Sequence, residues 1–232
     1  MIGSDYEKIE FVLFNLNLLE PMGFITDTLL AILSITLGLK LRKLKIYHPF
    51  KTYWIAFFYI FGIGAFLGGL GHLFFNYWGV SGKFPSWISG PIAIYTLEQA
   101  MISVHPNQSR LGLYKLLSFW KLIIVFTIFT LVCIYLPIYE NPTLAFLPSA
   151  INTILGVVLT AGILARYYAK TVNNAYMYFV YGVLILLPSA FIFLLKINLH
   201  QWFDKNDFSH ILMMLGILYF YLGAKKVEPL IK

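Results

Sequence analysis

The sequence has few charged residues and a single cysteine. Only 12% of its 232 residues are Asp, Glu, Lys or Arg, about half the share in a typical soluble domain, whereas 59% are hydrophobic and 18% aromatic. Cys133 alone excludes an internal disulfide and a zinc site built from cysteines. Nucleotide-binding glycine loops and nucleophile elbows are also missing. The composition indicates a chain solvated mainly by lipid, and its net charge of +7 is a topology signal rather than a sign of nucleic-acid binding.

Seven apolar segments are long enough to cross a membrane. A spanning helix needs about 20 mostly apolar residues, because it rises about 1.5 Å per residue through a hydrocarbon core about 30 Å thick. The segments lie near residues 22–41, 53–78, 86–105, 115–138, 146–168, 173–196 and 207–225. Because the connections are short, we expect an all-α integral membrane protein, a single seven-transmembrane-helix bundle over residues 1–232. The earlier stretch FVLFNLNLL is too short to span, and we expect an interfacial or packed lead-in that stops at Glu20-Pro21.

Basic residues fall in alternate connections between these segments. The first connection contains Lys40, Arg42, Lys43, Lys45 and Lys51 and no acid. The third, the fifth and the tail contain Arg110, Lys115, Arg166, Lys170, Lys225, Lys226 and Lys232, against Glu228. The N-terminal segment is acidic, with Asp5, Glu7, Glu10 and Glu20 beside Lys8. Since basic loops stay in the cytoplasm, the charges predict an N-terminus outside and a C-terminus in the cytoplasm.

A few ionisable residues lie inside the predicted spans, where such groups are costly and usually functional. They are Asp27, His72, Glu98, Asp207 and His210. The predicted direction of each span brings all of them except Glu98 to one depth, in the outer half of the membrane. Glu98 is deeper, and it either pairs with a neighbour such as Lys121 or Asn152 or belongs to the same site.

Two imidazoles and two carboxylates at one depth suit a zinc ion, which lowers the pKa of a bound water to about 7 and so supplies a nucleophile. In the last span, Asn206 and Asp207 share a helix face with His210, and Ser209 lies beside them. One hypothesis is that His72, His210 and Asp207 bind zinc, with Asp27 and Asp207 in catalysis. The other is that Asn206 or Asp207 merely caps the helix and the polar residues only fix helix packing.

The same residues carry a resemblance to a known superfamily. Seven spans, a histidine late in span two (His72) and NDFSHILMM at the start of span seven (His210) resemble the CREST superfamily, which joins alkaline ceramidases with progestin and adiponectin-type receptors. There a Ser-x-x-x-His pair, a His-x-x-x-His pair and a carboxylate near span three bind zinc for hydrolysis of lipid amides. This chain departs from the pattern with Gly68 for the serine, Asn206 for the first histidine and no aspartate at the start of span three.

The chain also resembles bacterial seven-span proteins with an early Thr-Asp and a late Asn-Asp-x-x-His, here Thr26-Asp27 and residues 206–210. Together the resemblances imply a divergent, ceramidase-like, metal-dependent hydrolase of a lipid amide or ester, in the cytoplasmic membrane of a bacterium, with membrane lipid as its partner. The alternative is a non-catalytic binder, sensor or complex subunit. A transporter is a third reading, weakened by the absence of an inverted repeat. A retinal pigment is disfavoured because the last span lacks a central lysine.

Overall fold

The computed structural model describes residues 2–45 and 48–227, apart from the side chain of Gln108. Glu228 and Lys232, counted above in the tail, lie outside these residues. The fold is helical, with α1 Pro21–Arg42, α2 Pro49–Leu73, α3 Phe75–Trp78, α4 Phe84–Ser103, α5 Gln108–Tyr135, α6 Thr143–Gly156, α7 Ala165–Thr171, α8 Met177–Leu194 and α9 Lys205–Lys226. A π-helical stretch, Val157–Leu164, joins α6 to α7 without a break.

Six of the described helical segments are long and apolar enough to cross a membrane. They are Pro21–Arg42, Pro49–Leu73, Ser109–Tyr135, Thr143–Thr171, Asn174–Leu194 and Lys205–Lys226. Each corresponds to one of the spans expected from the sequence, with ends that differ by a few residues; the second, for example, stops at Leu73 rather than 78. The chain is therefore a multi-pass helical membrane protein.

Helix α4 corresponds to the remaining predicted span but is less apolar than those six segments. It is 20 residues long, and half of it is buried, including Glu98 and Gln99. A helix surrounded by protein can carry polar side chains that lipid would not tolerate. At its C-terminal end, the main-chain carbonyl of Met101 accepts a hydrogen bond of 3.0 Å from Tyr168 in α7.

Close antiparallel contacts bring particular helix ends together. A Cβ atom on Gly62 of α2 would meet Ile35 of α1, and one on Gly23 of α1 would lie 3.6 Å from His72 near the end of α2. A Cβ atom on Gly68 would lie 3.1 Å from Ser86 in the first turn of α4. The C-terminal end of α2 therefore lies against the N-terminal ends of α1 and α4. These glycines allow the close helix approach.

A short β-hairpin precedes α1. Strand β1, Glu10–Leu13, pairs antiparallel with β2, Leu16–Leu19. Phe14 and Asn15 form the turn, and both have positive φ values, 50° and 62°. The lead-in expected before Glu20-Pro21 is thus a hairpin. It contacts α3, because the main-chain N–H of Asn17 donates a hydrogen bond of 2.9 Å to the Tyr77 hydroxyl.

Candidate functional site

Four of the ionisable residues singled out in the sequence lie where α1, α2 and α9 meet. Asp27 is on the second turn of α1, His72 is near the end of α2, and Asp207 and His210 are on the first two turns of α9. We call these four residues and Thr26 the polar site. Asp27 and Asp207 are buried, with 5% and 3% of their surface exposed. The expectation that they share one end of the bundle is consistent with this arrangement.

Thr26 connects α1 to two residues of α9. Its hydroxyl lies 2.9 Å from Oδ1 of Asp207 and 2.8 Å from Nδ1 of His210. The hydroxyl also lies 3.3 Å from the carbonyl oxygen of Gly23, so its single hydrogen has three acceptors within reach. Because an ionised carboxylate only accepts hydrogen bonds, we assign the hydrogen to Asp207 and an Nδ1–H to His210, which then donates to the hydroxyl oxygen. In this arrangement Nε2 of His210 carries a lone pair and no hydrogen.

The Asp27 carboxylate faces that lone pair. Its Oδ1 lies 3.3 Å from Nε2 of His210, and this is the one polar side-chain contact that Asp27 makes within the described residues. Two acceptor atoms at this separation repel unless a cation lies between them, and a buried carboxylate without a donor needs an explanation of this kind. The shared cation is either a proton or a metal ion.

His72 is oriented by two groups of opposite charge. Its Nδ1 lies 2.6 Å from Oε2 of Glu20 and 3.4 Å from Nζ of Lys83. The shorter contact favours an Nδ1–H that donates to Glu20, which leaves Nε2 of His72 as a free acceptor. A carboxylate that receives the outer N–H of a histidine in this way is the usual support of a metal-binding imidazole.

The groups around His72 have shifted pKa values. Burial alone would raise the pKa of Glu20, but the hydrogen bond and charge of His72 and the charges of Lys8 and Lys83 lower it well below its usual range. Burial lowers the pKa of Lys83, and attraction to Glu20 offsets this only in part. Burial would lower the pKa of Lys8, yet its contact with Glu20 raises it. Glu20 is therefore an ionised carboxylate at neutral pH.

Asp207 is held by the start of its own helix. The N-cap of α9 is Asp204, whose side chain accepts from the N–H groups of Asn206 and Asp207, and Oδ2 of Asp207 accepts the N–H of Asp204 at 3.1 Å. This reciprocal capping box corrects the expectation that Asn206 or Asp207 is the cap. The Asn206 amide donates to Asp204 at 3.2 Å. Because each oxygen of Asp207 already accepts a hydrogen bond, this carboxylate is less available to a metal ion than that of Asp27.

Two other residues proposed from the sequence make their contacts elsewhere. The hydroxyl of Ser209 donates to the carbonyl of Lys205 at 2.7 Å, within its own helix. The carboxylate of Glu98 accepts from Ser118 at 2.5 Å and pairs with Lys121. The pairing of Glu98 with Lys121, one of the two alternatives in the sequence, is confirmed.

A pocket borders the polar site at the helix ends. It is lined by the N-terminal segment, the start of α1, His72 and the start of α9. Lys8 crosses it and lies between Glu20, with which it forms an ion pair, and Asp204, at 3.6 Å. Nothing in the sequence distinguishes Lys8, Glu20 or Lys83, because charged residues outside the spans are common. In the fold, Glu20 and Lys83 contact His72 and Lys8 contacts Glu20.

The residues fit a metal ion in part. In the part of the chain that the structure describes, no three His, Cys, Asp or Glu side chains are close enough together to form a complete metal site. The pair of Asp27 and His210 has a suitable separation, because two ligand atoms at about 2.0–2.1 Å from a tetrahedral zinc lie about 3.3 Å apart, and the observed distance is 3.3 Å.

Comparison with known proteins gives a family and no activity. A family model described as "Family of unknown function (DUF6962)" matches residues 22–229, which include the whole polar site. No curated protein and no solved structure matches the chain.

Proposed function

The chain belongs to this family of unknown function, and from its polar site we propose that it is a membrane hydrolase that cleaves a lipid amide or ester with the help of a zinc ion. Asp27 and His210 would bind the metal directly, and His72 would become a third ligand once the end of α2 moves closer to them, since the described residues contain no preformed group of three ligands. One observation carries the proposal: the buried carboxylate of Asp27 lies 3.3 Å from Nε2 of His210, which is the separation of two ligand atoms on one zinc ion.

The positions at which this chain departs from the ceramidase pattern also favour Asp27. Gly68 stands where that family has a serine, and a Cβ atom there would lie 3.4 Å from Oδ2 of Asp27. The aspartate of α1 therefore occupies the space beside residue 68. Asn206, in place of the first histidine, is bound to Asp204 instead. Asp27 would thus replace a missing ligand.

Each residue of the site has a role in this proposal. Glu20 and Thr26 keep Nδ1 of His72 and of His210 protonated, so that both Nε2 atoms can accept. Asp207 fixes Thr26 in place. When bound, zinc acidifies a water molecule to a pKa of about 7, which provides a nucleophile for acyl transfer. Lys83 lies at the same histidine and could neutralise the charge of an anionic head group.

A second function is favoured by the hydrogen bonding of the remaining groups. Asp207, Glu20 and Asn206 all have protein partners, as expected for a network that only holds α1, α2 and α9 together. In that case a proton on Asp27 would bridge to His210, and the protein would be a non-catalytic lipid binder or complex subunit.

Metal analysis of the protein purified in mild detergent separates the two. We expect about one zinc ion per wild-type chain, lost in Asp27→Asn and His210→Ala and weakened in His72→Ala. Ser209→Ala, whose hydroxyl only contacts backbone, is the matched control and should retain zinc. Hydrolysis of a fluorescent fatty-acyl amide is then assayed with the same variants. A wild-type protein that contains no transition metal and fails to bind added zinc would exclude the hydrolase.

For the topology we propose seven spans, with α4 as the third, an outer N-terminus and a cytoplasmic C-terminus, in the cytoplasmic membrane of a bacterium. The support for α4 as a span is that it starts beside the end of α2 and ends beside α7. With seven spans, all the basic connections face the cytoplasm, as the positive-inside rule requires, and the polar site opens to the outside.

A further inference from the structure

A second group of buried polar side chains lies between α4, α5 and α6, separate from the contacts of the polar site. Glu98 of α4 is 4% exposed, and its carboxylate binds Ser118 and Lys121 of α5. Lys121 lies near the middle of the 28-residue α5. A charge pair at such a depth is costly in lipid and requires further polar contacts to be stable.

Asn152 of α6 is the unexplained member of this region. It is 2% exposed, and both of its amide atoms, Nδ2 and Oδ1, are buried without a partner among the described residues. It shares a helix face with Ser149 and Gly156, three residues before and four after. Both lie against α4: a Cβ atom on Gly90 would be 3.0 Å from Oγ of Ser149, and one on Gly156 would be 2.7 Å from Oε1 of Glu98. The Asn152 amide therefore faces α4, one helical turn from the Glu98 carboxylate.

We propose that Asn152 and Glu98 bind internal water, at least one molecule, inside the membrane-spanning part of the bundle. A buried amide that lacks both a donor and an acceptor partner is strongly disfavoured in an apolar medium. Water satisfies both atoms at once, and a buried water typically makes about three hydrogen bonds. The Asn152 amide supplies two contacts, and the carboxylate one turn away supplies a third. The glycine at position 156 lets Ile94 and the Glu98 carboxylate approach α6 at this point, where a Cβ atom would overlap with Ile94 and lie 2.7 Å from Oε1 of Glu98.

The π-helical stretch that starts at Val157, directly after Gly156, agrees with such a site. π-Helical turns in α-helices are rare and occur frequently at functional sites. The water site is independent of the zinc proposal, because none of its residues contacts the polar site.

Radiolytic hydroxyl labelling of the full chain in lipid nanodiscs, read by mass spectrometry, tests the proposal. Short X-ray pulses generate radicals from bound water, which modify adjacent side chains even without access to bulk solvent. Ile94 lies against Gly156 and should be labelled in the wild type, at least several-fold more than the lipid-exposed Ile163. Asn152→Leu should abolish this labelling. Thr153→Val is the matched control, because the Thr153 hydroxyl already donates to the carbonyl of Ser149 at 2.9 Å; it should label like wild type.

The wild-type measurement is decisive without any variant. If Ile94 of the wild type is labelled no more than Ile163, no water is bound there and the inference is wrong. Labelling that persists in a folded Asn152→Leu protein would show that Asn152 does not hold the water, which would equally overturn it. Folding of each variant is checked by its elution as a single peak in detergent.

Discussion

At the residue scale, the hydroxyl of Thr26 lies between Asp207 and His210 in the polar site. It is the only described group that joins Asp207 to His210. Thr26→Val keeps the shape of the side chain and removes its hydroxyl. Oδ1 of Asp207 and Nδ1 of His210 then lose a hydrogen-bond partner inside the protein. We expect the free energy of unfolding to fall by about 1–2 kcal/mol, measured by thermal unfolding in detergent.

Thr28 offers a matched control two residues away on the same helix. Its hydroxyl is buried without a hydrogen-bond partner among the described residues. Thr28→Val therefore removes an unsatisfied polar atom, and we expect no loss of stability or a small gain. If both variants melted alike, Thr26 would not connect the two helices in the way described.

Glu20 gives the site a pH dependence at its outer edge. Its folded pKa is lower than the unfolded value of about 4.5, so its ionised form stabilises the fold fully above that value, and this stabilisation is lost as the pH falls below it. Glu20→Gln should melt lower than wild type at pH 7 and by the same margin down to about pH 5, and the difference should shrink as the pH is lowered from about 4.5 to about 3. Glu7→Gln is the control, because Glu7 is exposed and forms no ion pair with a described residue. A difference that stays constant with pH would contradict this role of Glu20.

The central residues of the site could be predicted from the sequence, but their partners could not. Asp27, His72, Asp207 and His210 stand out because ionisable groups are rare in apolar segments. Thr26 is an ordinary residue in a membrane helix, and in the sequence it stands out only as the neighbour of Asp27 in the Thr-Asp motif. Its actual partners lie 181 and 184 residues away, and no local pattern encodes such a distance.

At the scale of elements, the contact between the end of α2 and the 79–83 segment depends on a glycine. A Cβ atom on Gly71 would lie 2.6 Å from the carbonyl oxygen of Gly82 and 3.3 Å from Cα of Lys83. Backbone atoms cannot move aside as a side chain can. Gly71→Ala should therefore displace Lys83 from His72 and destabilise the protein. We expect a loss of about 1–3 kcal/mol in the free energy of unfolding, measured by thermal unfolding.

Gly112 of α5 is the control for that substitution. A Cβ atom there would meet nothing within 4 Å, and alanine is favoured over glycine inside a helix by about 0.5–1 kcal/mol. Gly112→Ala should be neutral or slightly stabilising. An equal loss of stability in both variants would mean that the close approach at Gly71 is not what matters.

The hairpin shows why one element could not be predicted. A two-residue turn with positive φ at both positions is normally signalled by Asn-Gly or Asp-Gly, whereas here the turn is Phe14-Asn15. The stretch around it is apolar on both faces, so the alternation typical of a strand is missing. The length argument correctly excluded a span but could not distinguish a hairpin from a helix. Helices, by contrast, could be predicted well, because a run of about 20 apolar residues in a membrane normally forms a spanning helix.

For the whole molecule, α4 decides between six and seven spans. If α4 did not cross, the chain after it would run in the opposite direction. The basic connection at Arg110 and Lys115 would then lie outside, and so would that at Arg166 and Lys170, against the positive-inside rule. The low hydropathy of α4 is explained by its burial, since ten of its 20 residues are shielded by protein. We therefore expect its two ends on opposite faces of the membrane.

Single cysteines at the two ends of α4 test this directly. In a Cys133→Ser background, Ser81→Cys before α4 and Ser109→Cys after it are treated with a membrane-impermeant maleimide in intact cells; both positions are exposed. Ser81→Cys should react at once, like Ser4→Cys in the N-terminal segment, because both face outside. Ser109→Cys should react only after permeabilisation, like Leu44→Cys after α1. If Ser81→Cys and Ser109→Cys reacted alike in intact cells, α4 would not span, and the orientation of every later helix would be reversed.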